Sequence, residues 1–501
     1  MKRFGRFVLR EAVKTAQRPS RLILGPLLLF ALALLRHPRL VPIVLPALPE
    51  RVIGKAGRET IYLAAGLPLL QHDWPDEAWL CLQSYFRIGH PSIEDYLVGA
   101  NCLYQGLGRF RDAMSLLTQA SEKSLRERAS LGLADVPFRV LDNVWAQHLG
   151  HLGILSYVLK LGILEGRRRD ETILYLPPGS PVANRFLFDQ LTPYLRLVEN
   201  PADLPFPASA VQTLHYDLFS PRLRNGTTTF YWGLADQTYQ RWQEEGRPPL
   251  LAYPPAIEAR GRAALEKLGM PQGAWFVSLH VREREPDGTQ SGINAIRNAD
   301  ISSYFPAIAE ITRRGGWVIR MGDPSMAPLP ALPNVIDYCH SAVRSDWMDI
   351  FILARSRFLI GTNSGPAFVP VLYGTPAVLT NWWPAAERPW QSSDIFIPKL
   401  LRSAADGRYL TLSETLSEPL GWCYSRRHLL KYASVRVEDN DPEIIRAAVQ
   451  EMLGRLDGHK EVAKETEDVR TRADRIYKSR GVAGSAVLAR EFLRRHVNLV
   501  A

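Results

Sequence analysis

Short apolar runs separated by segments of helical period fill the second half of the chain. Trp275 to His280 reads as a strand, Ile301 to Arg314 as a helix, Trp317 to Met321 as a strand ending in Gly322-Asp323, and Asp346 to Ala354 as a helix. Phe358 onward gives a strand, a turn of small polar residues, a short helix starting near Pro366, and another strand from Ala377. Strands alternating with helices of this length predict an α/β fold built on a parallel sheet with helices on both faces. Ligands on such a sheet sit beyond the carboxyl ends of its strands. Three of those ends carry polar residues that a purely structural strand does not need: His280-Val-Arg282-Glu283, Arg320-Met-Gly-Asp323 and Thr362-Asn-Ser364.

The turn Gly361-Thr-Asn-Ser-Gly-Pro366 has two readings. Pro366 suits a first helical turn, Ser364 or Asn363 suits the N-cap, and the glycines allow close approach, so backbone N–H groups and a helix dipole can meet a phosphate. The same residues also make an ordinary capped strand-to-helix turn that binds nothing.

Upstream, a second α/β region is expected from about Val140. Asn143-Val-Trp-Ala, Glu171 to Leu176 and Leu195 to Glu199 read as strands, with helices over Ile154 to Leu164 and Val182 to Leu191. Between them lies the loop Gln147-His148-Leu-Gly150-His151-Leu-Gly153, and His151 is either a base or a hydrogen-bonded structural histidine. From His72 to Arg128 the pattern is amphipathic helix. Tyr96 to Tyr104, Gly106-Leu-Gly108 and Ala113 to Ala120 have the large/small alternation of a tetratricopeptide-like pair, which has to pack on neighbouring structure. Asp441-Pro-Glu443 caps a helix to Leu456, and the charged stretch Lys460 to Arg495 reads as a solvated helix pair. The expected divisions are 1–50, 51–135, 136–256, 257–456 and 457–501.

Charge changes the picture at the amino end. Residues 1–21 carry Lys2, Arg3, Arg6, Arg10, Lys14, Arg18 and Arg21 against Glu11 alone, and Leu22 to Leu35 is uncharged and apolar. That run is short for a spanning helix, and no small-residue cleavage site follows it. Attachment to an anionic membrane surface, on the cytoplasmic face of the inner membrane, is expected, against a buried helix capping the next domain. The net charge of +10 asks for anionic partners without naming them. Cys81, Cys102, Cys339 and Cys423 stand far apart, which predicts neither a zinc site nor a disulfide framework.

The run Val277-Ser-Leu-His280-Val-Arg282, then Gly-Thr-Asn-Ser-Gly-Pro, then Tyr373-Gly-Thr-Pro376 resembles the nucleotide-sugar half of GT-B glycosyltransferases, in particular a bacterial family known mainly from genome sequences. The His-x-Arg element is similar to that of fucosyltransferases, and the Ser-Gly-Pro turn to the donor loop of heptosyltransferases. The resemblance spans Asp142 to Leu456 and is strongest from Trp275 to Asn381. It implies a GT-B-like pair of Rossmann-like domains, 136–256 for the acceptor and 257–456 for a nucleotide-diphosphate sugar, with GDP slightly favoured. Arg282 would meet the β-phosphate, with Thr362, Asn363, Ser364 and Gly365 beside it. His280 would contact phosphate or position Arg282, and His151 would be the base. Arg320, Asp323 and Asp346 would reach the nucleoside, or form internal ion pairs. No metal, no further cofactor and no nucleic acid are expected, and the acceptor would be a glycan or lipid-linked. An epimerase on the same scaffold and a non-catalytic membrane-bound helical-repeat protein are the rival classes.

Overall fold

The computed structural model describes residues 37–48, 55–216, 220–221, 229–283, 292–459 and 464–500. The basic stretch 1–21 and the apolar run 22–35 lie outside them.

Seven parallel strands form the main sheet. In chain order they are β4 (Phe276–His280), β5 (Trp317–Arg320), β6 (Val335–Asp337), β7 (Leu359–Gly361), β8 (Ala377–Trp382), β9 (Ile395–Pro398) and β12 (Val487–Leu488), and in space β12-β9-β8-β7-β4-β5-β6. They follow β1 (Arg139–Leu141), β2 (Thr172–Tyr175) and β3 (Arg196–Val198), which make a separate three-stranded parallel sheet. β10 (Leu400–Ser403) and β11 (Val435–Glu438) form an antiparallel pair. From β4 the chain lays β5 and β6 to one side, then crosses back and lays β7, β8 and β9 on the other. β4 and β7 are therefore neighbours at the point where the strand order reverses. Helices must leave on opposite faces there, and a crevice opens beyond the carboxyl ends of these two strands.

Every residue of β4, β7, β8 and β9 is buried, most of them apolar, with Ser278, His280, Thr380 and Asn381 the buried polar residues among them. Val281 and Met321 extend that core past the strand ends, so the polar residues that follow mark where the sheet stops.

The helical region packs directly on this body. It consists of Lys55–Gln71, Pro75–Ile88, Ile93–Asn101 and Phe110–Ser130. Gly99 lets two of these helices close, since a Cβ there would lie 2.6 Å from Phe86. Gly108, at φ +64°, lies against Pro419 of the main domain, and the Tyr424 N–H donates to Gln105 O at 2.7 Å. Residues Val41–Ala47 add a short helix with Val41 and Leu45 buried inward.

Three expectations are corrected. Asn143-Val-Trp-Ala is not a strand: Asp142 accepts the Val144 N–H at 3.0 Å, turning the chain into the helix Val144–Gln147, and the strand lies earlier at Arg139–Leu141. The helix expected from Pro366 is broken into a 3-10 turn, Gly365–Phe368, and a single α turn, Pro370–Tyr373, because Pro370 has no N–H to donate to the carbonyl of Pro366 and its ring crowds that carbonyl. The charged carboxyl stretch is not a solvated pair. Its helix Lys464–Ser479 buries Ala473 and Tyr477, and β12 joins the sheet edge beside β9. Arg470 makes that burial possible by donating to Leu488 O at 3.0 Å and pairing with Glu451.

Candidate functional site

The reversal point brings together two of the three polar strand ends. The Arg282 N–H donates to Thr362 Oγ1 at 3.0 Å, and the Thr362 N–H donates to His280 O at 3.3 Å. The His-x-Arg element after β4 and the Thr-Asn-Ser-Gly turn after β7 are thus one hydrogen-bonded unit. Arg282 is half-buried, while Thr362, Asn363 and Ser364 are buried.

The turn is organised differently from the expected cap. Asn363 Nδ2 donates to Trp383 O at 2.7 Å, and Ser364 occupies the N-cap position without a side-chain capping bond. Neither residue caps with its side chain, so what the turn can offer an anion is backbone. Its outer side meets the other α/β half. A Cβ on Gly365 would lie 3.0 Å from Gly150 N, and one on Gly153 only 2.4 Å from Phe368 O. The helix Leu149–Leu164 therefore begins against the turn, and its glycines are what allow the two backbones to meet.

That contact places His151 one residue from the junction. Its Nδ1 lies 2.8 Å from Val144 O. A carbonyl only accepts, so Nδ1 carries the hydrogen and Nε2 keeps a lone pair. Burial lowers its affinity for protons, the Val144 bond partly opposes this, and His148, whose ring centroid is 4.8 Å away, lowers it further. A neutral imidazole with a bare Nε2 has the form of a general base.

His280 is also neutral. Burial pushes it down to about 4, with Arg282 and Arg320 adding to the effect, and its Nδ1 faces Met321 O at 3.3 Å. An imidazole in this state has no charge to give a phosphate, and its bond to Met321 ties β4 to the end of β5.

The third strand end is mostly engaged internally. Arg320 is fully buried, with Nη2 2.6 Å from Glu283 and Nη1 2.9 Å from Asp337 and 2.7 Å from Cys339 Sγ. Asp346 accepts the Arg185 N–H at 2.7 Å and joins the two halves. Asp323 is exposed, and the Ser325 N–H and hydroxyl hold its carboxyl below the usual range. Asp337, Cys339 and His340 place ligand-type atoms within 4.8 Å of one another, but the Arg320 guanidinium already bonds two of the three. All four cysteines are buried and free.

Sequence reasoning missed Arg297, Tyr231 and Tyr424. The Ala299 N–H donates to Arg282 O at 2.8 Å, which brings the segment carrying Arg297 to the end of β4. Arg297 Cζ stands 5.8 Å from the Tyr424 ring centroid. No periodicity or motif marks these residues; chain segments far apart in sequence converge there.

No family model matches the chain, and no curated protein matches it. Among solved structures, a glycosyl transferase family 9 protein from Veillonella parvula aligns with TM-score 0.31 and 12% identity, over 48% of this chain and 79% of that one. The iron-containing dodecameric glycosyltransferase TibC from enterotoxigenic E. coli aligns with TM-score 0.30 and 14% identity, over 49% of this chain and 58% of that one. A second TibC structure, in complex with ADP-D-β-D-heptose, gives 0.29 and 13% over the same shares.

Proposed function

We propose that the chain is a glycosyltransferase of the GT-B type that moves a sugar from a nucleotide diphosphate to a glycan or lipid-linked acceptor. The observation that carries this reading is the hydrogen-bonded pairing of Arg282 with Thr362 of the Thr362–Gly365 turn at the strand-order reversal, with Gly150, the residue before His151 in the second α/β half, packed against that turn.

Glycosyl transfer loses a nucleotide diphosphate from the anomeric carbon while an acceptor hydroxyl attacks. Negative charge grows on the β-phosphate as the bond breaks, and a site accelerates the step only by binding that charge more strongly in the transition state. Arg282 supplies a planar fork of donors for it. His151 Nε2 takes the proton of the acceptor hydroxyl. His280, being neutral, holds Arg282 in register. With Arg320 and Asp346 engaged by the protein, the slight preference for guanine rests on Asp323, whose carboxylate suits the N1–H and amino group of that base.

Attachment to the cytoplasmic face of a membrane is part of the same proposal. Leu40 and Ile43 are exposed on the outer side of the first helix, Ile43 by 70%. Arg39 and Arg427 flank the Trp74 ring at 3.3 and 3.2 Å, and Leu430 and Tyr432 are exposed one turn beyond Arg427. Apolar side chains beside fixed cations suit an anionic bilayer surface. No helix of the described residues is long and apolar enough to cross a membrane.

The test is a thermal-shift panel of UDP, GDP, ADP, CMP and their sugars on the purified full chain, followed by nucleotide release with each stabilising donor, with and without EDTA. Ligand at a hundredfold over its Kd should add about 2.7 kcal/mol of stability. Nucleotide-diphosphate sugars should stabilise, and release should survive EDTA. Absence of any shift across the panel refutes the donor reading, and rescue of EDTA-lost activity by magnesium or manganese refutes metal independence.

A further inference from the structure

The buried arginines of this protein come with counter-ions. Arg139 pairs with Glu165, Arg320 with Glu283 and Asp337, Arg388 with Asp474, and Arg470 with Glu451. A guanidinium removed from water without a partner loses hydration and gains nothing in exchange. Arg297, which is half-buried, departs from this. Its Nε is closed off from solvent with no hydrogen-bond partner, as are those of Arg282 and Arg320, but unlike Arg320 it has no carboxylate paired with it among the described residues. Its surroundings are aromatic: Tyr424 lies 5.8 Å from Cζ, and Tyr231 is near enough to interact electrostatically.

The acid reached through Tyr424 does not serve as counter-ion. Tyr424 Oη donates to Glu387 Oε2 at 2.9 Å, but burial pushes Glu387 up to about 8, so it is protonated at neutral pH. The position of Arg297 matters as much as its isolation. It lies in the turn Ile293–Arg297, two residues before Ala299, whose N–H donates to Arg282 O. Two half-buried arginines thus leave the same crossing of chain segments at the carboxyl end of β4, one beside the Thr362–Gly365 turn and one beside tyrosines with no acid paired to it among the described residues.

We propose that Arg297 is a second anion-binding residue of this site, completing its charge only when a diphosphate-bearing nucleotide is bound, with Arg282 and Arg297 each taking phosphate oxygens. The inference rests on the nucleotide-diphosphate reading and deepens it: one cation suffices for a monophosphate, whereas two favour a diphosphate. The tyrosines give the guanidinium an aromatic wall before the ligand arrives, which lowers the ordering left to binding.

The experiment is calorimetric titration of the full chain with GDP, GMP and inorganic pyrophosphate, on wild type, Arg297→Met and Arg297→Lys, with ligand-free melting of each. Arg297→Met should weaken GDP and pyrophosphate at least tenfold while changing GMP less, and Arg297→Lys should recover part of the loss. Ligand-free Arg297→Met should melt at or above the wild-type temperature, because it removes an uncompensated charge and orphans no acid. A structural arginine predicts the reverse, a lower melting temperature rescued by lysine, and that result overturns the proposal. So does binding of GDP by Arg297→Met within twofold of wild type, which leaves the donor reading standing. If the wild type binds neither GDP nor UDP, ADP or pyrophosphate, the donor reading falls and this inference falls with it.

Discussion

Gly153 and Gly162 lie on one helix, Leu149–Leu164, and the same substitution should act on them with opposite sign. A Cβ at Gly162 would meet nothing closer than 3.8 Å, whereas at Gly153 it would lie 2.4 Å from Phe368 O and 2.6 Å from Phe368 C. Alanine in a helix interior gains up to about 1 kcal/mol over glycine. Gly162→Ala should therefore stabilise by roughly 0.5–1 kcal/mol. At Gly153 the obstacle is backbone and cannot rotate away. Carbon and oxygen settle at roughly 3.3 Å or more, so the helix and the Gly365–Phe368 turn must separate by about 1 Å. Overpacking of this kind costs about 1–3 kcal/mol and the gain in propensity is common to both sites, so the two variants should differ by about 1–3 kcal/mol. The separation also moves His151 away from Arg282 and the turn, and a misplacement of about 1 Å can lower turnover on the order of a hundredfold. Urea unfolding of both variants measures the first effect, and sugar transfer under saturating donor measures the second. Equal stability for Gly153→Ala and Gly162→Ala would refute the close packing of the two halves at this junction. A destabilised Gly153→Ala with unchanged turnover would refute the placement of the reaction there.

Arg282→Lys keeps a charge but loses the planar fork, so turnover should fall much more than diphosphate affinity, while Ser364→Ala should change both by no more than about 1 kcal/mol; wild-type transfer by Arg282→Lys makes the His-x-Arg element structural. Glu387 holds its proton up to about pH 8 when folded and releases it near 4.5 when unfolded, so wild-type stability should decline from pH 4.5 to pH 8. By pH 7 that loss amounts to about 3 kcal/mol, and Glu387→Gln should flatten the decline in unfolding measurements across this range. A parallel decline in the variant would show that Glu387 is not its source. Deleting residues 1–36 should lower the membrane-bound share of the protein with nucleotide binding intact, while the exposed Leu40, Ile43, Leu430 and Tyr432 are kept. Residues 38–48 are best kept, because Val41 and Leu45 are buried and Arg58 donates to Leu45 O at 3.2 Å; an undiminished membrane-bound share of the shortened chain would refute attachment through the first 36 residues.

Local pattern determined a good part of this protein. The alternation of apolar runs and helical segments from Trp275 to Leu456 fixes a parallel α/β layer, since period and length are properties of the chain itself. The Asp441 cap and the helix Pro442–Leu456 follow from three adjacent residues. The polar strand ends were equally legible, because a buried strand has no local use for His280, Arg282 or Thr362. What sequence could not supply was order in space. That β7 returns beside β4, bringing Arg282 to Thr362, depends on which strands pair, and pairing partners some 80 residues apart leave no mark in a local window. The roles of individual side chains were decided the same way: Arg320 found Glu283 and Asp337, Asp346 found Arg185 N, and Arg297, among the described residues, found tyrosines and no paired acid. The carboxyl stretch shows the converse. Its charges dominated the pattern, yet Ala473 and Tyr477 are buried against the sheet, with Arg470 meeting Glu451 and Leu488 and Arg388 meeting Asp474, partners that folding alone provides.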